Sequence, residues 1–398
     1  MNLFTEYPEK NEQELNNLVI EQVKKQIQKL YGDKPSAKRD THAKTHGAIK
    51  GSLEIFDFDE EAIKRQLVQT IELSADKIKS LSLKQGLLAQ AKQYPVWIRF
   101  ANGRTTVEND YVADTRSMSV KIIGVEGERL KTSHELRTQD IITQNTEIFF
   151  IKNIQYYYEF FKSVVDSPKA ALIWLLTHPQ QFLALQKMTG PTPKSLLTEK
   201  YWSGSAFSLG LKSDFDESKP GHVPVEYPAV VKFAFTPVSP QAPHEAIPFQ
   251  SRAGIPKLPF IDRAKALGFS KDQPDNYYRD DLIQKLKKPD AQYCWDFGIQ
   301  FQANTQMSID DVTVLWPEEQ SQFFTVGRLT VNHQIMDSQE QLKFGENIQI
   351  SIWNGLTVHR PVGALNRLRS LVYPIVADYR HQRNNVNYQE PTGDEIFN

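Results

Sequence analysis

The chain of 398 residues has one cysteine, Cys294, which excludes an internal disulfide framework. Its setting, Tyr-Cys-Trp-Asp-Phe, has the apolar alternation of a strand interior, and a buried, unreactive thiol is expected there. Net charge is nearly absent as well, with 47 Lys and Arg against 48 Asp and Glu. A net charge of -1 supplies no long-range field to recruit nucleic acid or an anionic surface over the whole molecule. Residues 1–10 lack the basic-then-apolar pattern of a secretory leader, so a cytoplasmic protein is expected. The most apolar helical stretch, residues 170–176, is far shorter than the roughly 20 residues that span a bilayer. No glycine fingerprint for a nucleotide is present either, since Ser203-Gly204-Ser205 stands outside any strand-to-helix setting.

What is present is a 40% hydrophobic chain with strong local periodicities, enough for a sizeable core. Leu15, Leu18, Val19, Val23, Ile27 and Leu30 recur at helical spacing and predict an amphipathic helix over residues 10–31. Apolar and polar residues alternate over 49–56, which predicts a half-buried strand. Short apolar or β-branched runs at 96–100, 118–123, 148–151, 294–302, 312–316 and 324–331 read as further strands, joined by turn-rich segments. Residues 154–200 switch to helical patterning interrupted at Pro168 and Pro179. Nine prolines between 214 and 262 predict a long extended segment, and a last helix is expected over about 362–383. The sum is an α+β protein whose antiparallel strands close, or nearly close, into a barrel. We divide it into an N-terminal helical arm (1–35), a main domain (36–385) and a C-terminal tail (386–398).

In the last helix Arg369, Tyr373 and Arg380 stand at i, i+4 and i+11, which makes one stripe. A tyrosine titrates near pH ~10, so a phenolate needs a neighbouring cation, which an arginine one turn away supplies. Taken alone, the stripe also suits an ordinary solvated helix. His42 and His46 at i, i+4 raise a two-histidine metal site, but no Glu follows the first His and Gly47 interrupts the helix that such a site needs, so His46 reads as a surface or strand-edge residue.

Five dispersed motifs carry more. Arg39-x-x-His42-Ala-Lys, Trp97-Ile-Arg99-Phe100, Asp114-x-Arg116-x-x-Ser-Val-Lys121, Asn145-Thr-x-Ile-Phe-Phe-Ile151 and Arg369-x-x-x-Tyr373-Pro-x5-Arg380 occur in this order. Over about residues 36–383 the chain resembles the catalase family, in particular its smaller catalase-related members. The resemblance implies a catalase-like antiparallel β-barrel with surrounding helices and haem b inside. It implies Tyr373 as proximal iron ligand, Arg369 paired to its phenolate, and Arg39, Arg99 and Arg380 on the haem propionates. His42 is then the acid–base group that moves the peroxide proton, with Asn145 and Thr41 beside it, and a small-molecule peroxide is the substrate.

Two departures bear on the substrate. Thr41 precedes the distal His42 where large catalases have Val, and Ala101 stands where they have Ser. Thr at that position resembles the allene oxide synthases of the catalase-related branch, so organic or fatty-acid hydroperoxides are the expected substrates. The aromatics of residues 155–161 and 274–280 suit an apolar channel. Disproportionation of H2O2 or generic peroxidase activity is the alternative, and a non-catalytic haem-binding or sensing protein is a second one. No nucleic-acid partner and no integral membrane segment are expected, and a homo-oligomer is compatible with the resemblance.

Overall fold

The structure, a computed structural model, describes residues 2–110, 112–190, 192–211, 224–239 and 276–397. Most of the proline-rich stretch expected to be extended lies outside the described residues. Eight strands form a closed antiparallel barrel: β2 (Thr45–Ile55), β3 (Lys92–Asn102), β4 (Arg116–Ile123), β5 (Thr138–Gln144), β6 (Tyr201–Trp202), β9 (Ala229–Val238), β10 (Gln292–Phe301) and β11 (Phe324–Asn332). The ring runs β2–β3–β4–β5–β6–β9–β10–β11 and returns to β2 through the pairs Gly327 with Ile55 and Leu329 with Leu53. Two short strands, β7 (Ala206–Leu209) and β12 (Pro361–Val362), extend from β9, while β1 (Thr5–Glu6) pairs with β8 (Val225–Glu226).

The two-residue period of a strand sorts side chains onto two faces. Ile49, Ile98, Val120 and Ile141 lie in register across β2 to β5 and belong to the main apolar core. Ala48, Arg99, Ser119 and Ile142 form the neighbouring row on the opposite face. An eight-stranded barrel is just wide enough for its own side chains, so the first row fills the interior. The second row faces outward, where helices cover it.

Those helices include α1 (Glu12–Tyr31), α2 (Glu60–Thr70), α3 (Ala75–Ser80), α4 (Ile154–Asp166), α5 (Pro168–Thr177), α6 (Pro179–Thr189), α7 (Tyr277–Leu286), α8 (Gln339–Asn347) and α9 (Ala364–Arg383). The expected breaks at Pro168 and Pro179 are helix starts, because proline fits the first turn, where its missing N–H costs nothing. The Asn153 and Ser167 side chains cap α4 and α5 by accepting from the Tyr156 and Ala170 N–H groups.

Helix α9 is set in place from both sides. Leu368, Val372 and Val376 pack on Val19, Val23 and Ile27 of α1 and on Phe161 of α4. At its start the Glu6 and Asp310 carboxylates accept from the Gly363 and Ala364 N–H groups at 2.7 and 2.9 Å, where the helix dipole favours negative charge. Arg367 joins the same carboxylates and binds Glu12 at 2.7 Å.

Two runs expected as strands are irregular. Residues 148–151 and 312–316 lie outside any strand and meet through the Phe149 N–H, which donates to the Val312 carbonyl at 3.0 Å. Phe150 and Ile151 are buried with Trp174 and Met188 of α5 and α6, so their apolarity serves packing on helices and not a sheet.

Candidate functional site

The covered face of the barrel bears a cavity in two adjoining compartments that share Asp40, Thr41, His42 and Tyr373. The smaller is lined also by Arg39, Arg99, Ser119, Ile142, Val376 and Arg380. The larger, about 400 Å³, is walled by apolar groups of α4, α6 and α9, among them Phe160, Phe161, Met188, Leu368 and Val372. It lies outside the barrel, between the strands and α9, and not in the lumen, because the lumen is filled by the Ile49 row.

Arg369, Tyr373 and Arg380 share one face of α9, as the i, i+4, i+11 spacing requires, and all three line the cavity. The Arg369 guanidinium donates to Ser205 Oγ at 3.2 Å and Asn366 Oδ1 at 3.1 Å, which fixes its reach along the helix.

Arg39, Arg99 and Arg380 converge on the C-terminal end of α8. Arg99 Nε donates to the Gly345 carbonyl at 3.2 Å, Arg39 Nη1 to that of Glu346 at 3.0 Å, and Arg380 Nη1 also to Glu346. The free carbonyls of a helix end suit cations. Even so, burial pushes the Arg99 and Arg380 guanidiniums well below the usual arginine range, and repulsion from Arg39 adds to it. Glu346 is held below the usual carboxylate range by Lys38, Arg99 and Arg39, against the effect of its burial.

His42 adopts φ 55°, a left-handed conformation uncommon outside glycine, and its backbone N–H donates to the Gly103 carbonyl at 3.2 Å. Its Nδ1 lies 3.1 Å from the Asn102 carbonyl, which only accepts, so Nδ1 carries the proton and Nε2 keeps its lone pair. Burial, followed by Arg99, Arg369 and Arg39, presses the imidazole pKa down to about 3, so the ring is neutral. Beside it, burial raises Asp40 to about 6.

His46 is fully buried, not at the surface. It is the extra residue of a β-bulge between Thr45 and Gly47, and bulges re-aim side chains. Its Nε2 meets Asn102 Oδ1 at 2.7 Å, and Asn102 Nδ2 donates to Asp110 at 2.8 Å. Asn102, which the motifs did not single out, thus holds both histidines, one by its carbonyl and one by its amide.

The structure brings Arg39, Thr41, His42, Arg99, Arg369, Tyr373 and Arg380 to one cavity and leaves Asn145 out. Asn145 Oδ1 accepts from the Arg116 N–H at 2.8 Å, and its amide lies beside the buried Glu199 carboxylate. Gln144 lines the cavity instead. It pairs with Ser117, which pairs with Ala101, two positions along the same face as Ile142, Ser119 and Arg99. The strand alternation therefore turns Gln144 towards the cavity and Asn145 away from it.

No family model matches the chain. Catalase A of Emericella nidulans is 23% identical over 305 residues, which cover 71% of this chain and 36% of that protein. The crystal structure of a fungal catalase superposes with a TM-score of 0.59 at 18% identity over 93% of this chain and 65% of that one. A bacterial catalase gives 0.58 at 18% identity, over 94% and 66%. The chain thus spans about a third of the curated relative's length and just under two thirds of these solved chains.

The cavity residues fit a haem. A flat apolar ring with two carboxylates at one edge calls for guanidinium groups together at one end, aromatic and aliphatic walls, and an oxygen or nitrogen donor on one side. Arg39, Arg99 and Arg380 are the first, the α4 and α9 side chains the second, and the Tyr373 phenol the third. In its barrel and strand order the chain has a catalase-like fold, and its sequence is similar to that of a catalase.

Proposed function

We propose that the chain is a haem-dependent enzyme acting on hydroperoxides, with haem b in the cavity and organic, in particular fatty-acid, hydroperoxides as substrates. The observation that carries this reading is the meeting of Tyr373 and neutral His42 on one cavity with three guanidiniums at its end. Bound haem supplies an iron centre that weakens the peroxide O–O bond. Tyr373 would hold the haem iron through its phenol oxygen, with the Arg369 guanidinium one turn away on the same face of α9. Arg39, Arg99 and Arg380 would hold the two propionates by charge-assisted hydrogen bonds.

His42 Nε2 takes the proton from the terminal hydroperoxide oxygen and returns it to the departing one. The Asn102 carbonyl keeps the ring in the tautomer that this requires. Gln144 offers an amide N–H to the substrate oxygen, and Thr41 lies beside the imidazole. Thr41 before His42, as in the allene oxide synthases that this segment resembles, favours an organic hydroperoxide. The similarity to Catalase A favours a second reading, disproportionation of H2O2.

The test is turnover of the haem-loaded protein with H2O2, read as oxygen release, and with a polyunsaturated fatty-acid hydroperoxide, read as consumption of the hydroperoxide. Rapid hydroperoxide consumption with weak oxygen release from H2O2 is expected, and vigorous oxygen release would establish the second reading. Tyr373→Phe should alter the haem spectrum, and His42→Ala should keep the haem and lose most turnover. An unchanged spectrum or retained turnover refutes the respective role.

A further inference from the structure

His46 is a buried imidazole that the function proposed above does not use. Its protonation follows from its neighbours. Asp110 takes the Lys44 ammonium at 2.7 Å and the Tyr278 N–H at 3.0 Å, so it is a carboxylate and only accepts. The Asn102 amide must therefore turn Nδ2 towards Asp110, at 2.8 Å, and Oδ1 towards His46 Nε2, at 2.7 Å. Oδ1 accepts, so His46 carries its proton on Nε2 and a lone pair on Nδ1. Burial presses the ring down to about 4, which leaves it neutral.

That Nδ1 is buried and meets no hydrogen-bond donor among the described residues, which destabilises the fold. Packing does not account for it. The imidazole lies edge-on to Tyr278 with centroids 5.4 Å apart, and an apolar side chain would fill that space without an unmatched nitrogen. The strand also gives up a ladder position to place His46 in its bulge. What the imidazole supplies, and an apolar group would not, is the N–H on Asn102. With Asp110 it holds the Asn102 amide at both ends, at the last residue of β3. The carbonyl of that same residue lies 3.1 Å from His42 Nδ1.

We propose that His46 is a positioning residue for His42, acting through Asn102: it fixes the amide side chain and so keeps the Asn102 carbonyl on His42 Nδ1. The positioning stands on these contacts alone. Its use, an Nε2 left free to take a peroxide proton, rests on the function proposed above.

The experiment is nitrogen NMR of the haem-free protein grown with isotope-labelled histidine, the His42 signals being those lost in His42→Gln. Native His42 should show a protonated Nδ1 and a bare Nε2. His46→Leu, which removes the donor, should release the Asn102 amide and let His42 populate both tautomers. His46→Gln, whose amide N–H can still reach Asn102, should restore the native pattern. His46→Asn is too short to do so, and it makes the same test where His46→Leu does not fold. In the haem-loaded protein, kcat of His46→Leu for the hydroperoxide should fall at least in proportion to the loss of the Nδ1–H form, with KM unchanged. An unchanged His42 tautomer in folded His46→Leu or His46→Asn overturns the proposal, and so does a His46→Gln protein that behaves as they do. A tautomer shift in a protein that turns over no hydroperoxide would sink the function and leave the positioning intact.

Discussion

His42 held neutral makes a quantitative prediction about acid. The folded imidazole titrates at about 3 while the unfolded one titrates at 6.5, so between these values the unfolded chain binds a proton that the folded chain refuses. Stability from this group is present above pH 6.5 and is lost as pH falls towards 3. From about pH 7 to about pH 4 the loss is bounded by about 3 kcal/mol at 1.36 kcal/mol per pH unit. The ring faces a cavity that admits water, so about half of that bound, 1.5–2 kcal/mol, is the expected value. His42→Gln removes the titration and keeps a polar side chain of similar size. Asp40, Asp140 and Glu199, raised to about 6, 7 and 7 chiefly by burial, act in the opposite sense, which is why the difference between two proteins is the quantity to measure. Urea unfolding of the haem-free native protein and of the variant, at several pH values, should show the variant gaining 1.5–2 kcal/mol on the native protein by about pH 4. Parallel curves, or a His42 resonance titrating near 6.5 in NMR, would refute the reasoning.

Two further outcomes are expected. Gln144→Ala should lower kcat/KM by roughly ten- to a hundredfold with little change in Tm, whereas Asn145→Ala should cost about 1–3 kcal/mol of stability by freeing the buried Arg116 N–H, and steady-state kinetics with thermal unfolding separate the two. Lys121 is fully buried against Asp140 at 2.8 Å and against Glu135, so Lys121→Met should cost about 3–5 kcal/mol by leaving two buried carboxylates without their cation, and denaturant unfolding reads it.

Much of the fold is written in short-range periodicity. The alternation of Ile49, Leu53 and Ile55 and the 3.6-residue stripe of Leu15 to Ile27 each correspond to an observed element, because burial of one face demands that period. Periodicity fails where apolar residues are buried without a ladder: Phe150 and Ile151 sit in an irregular segment under α5 and α6. The site was legible as a set of charged and aromatic residues but not as a geometry. Arg39 and Arg380, 341 positions apart, meet at the end of α8, and no local pattern states that. Gln144 was readable in principle, since counting by twos from Ile142 reaches it and passes over Asn145. His46 was not, because a bulge breaks the count by one.

The three arginines at the end of α8 have a consequence for how stability and affinity trade. Tertiary packing keeps their guanidiniums together against burial first and mutual repulsion second, which Glu346 offsets only in part, so some folding free energy is held there as buried, compressed like charge. Any dianion of the right span relaxes that compression as it enters, and the energy returned appears as affinity with no new contact elsewhere. Neutralising one arginine should therefore make the empty protein firmer and the ligand looser together. A screen for thermostable variants would select against binding at this position without ever measuring it.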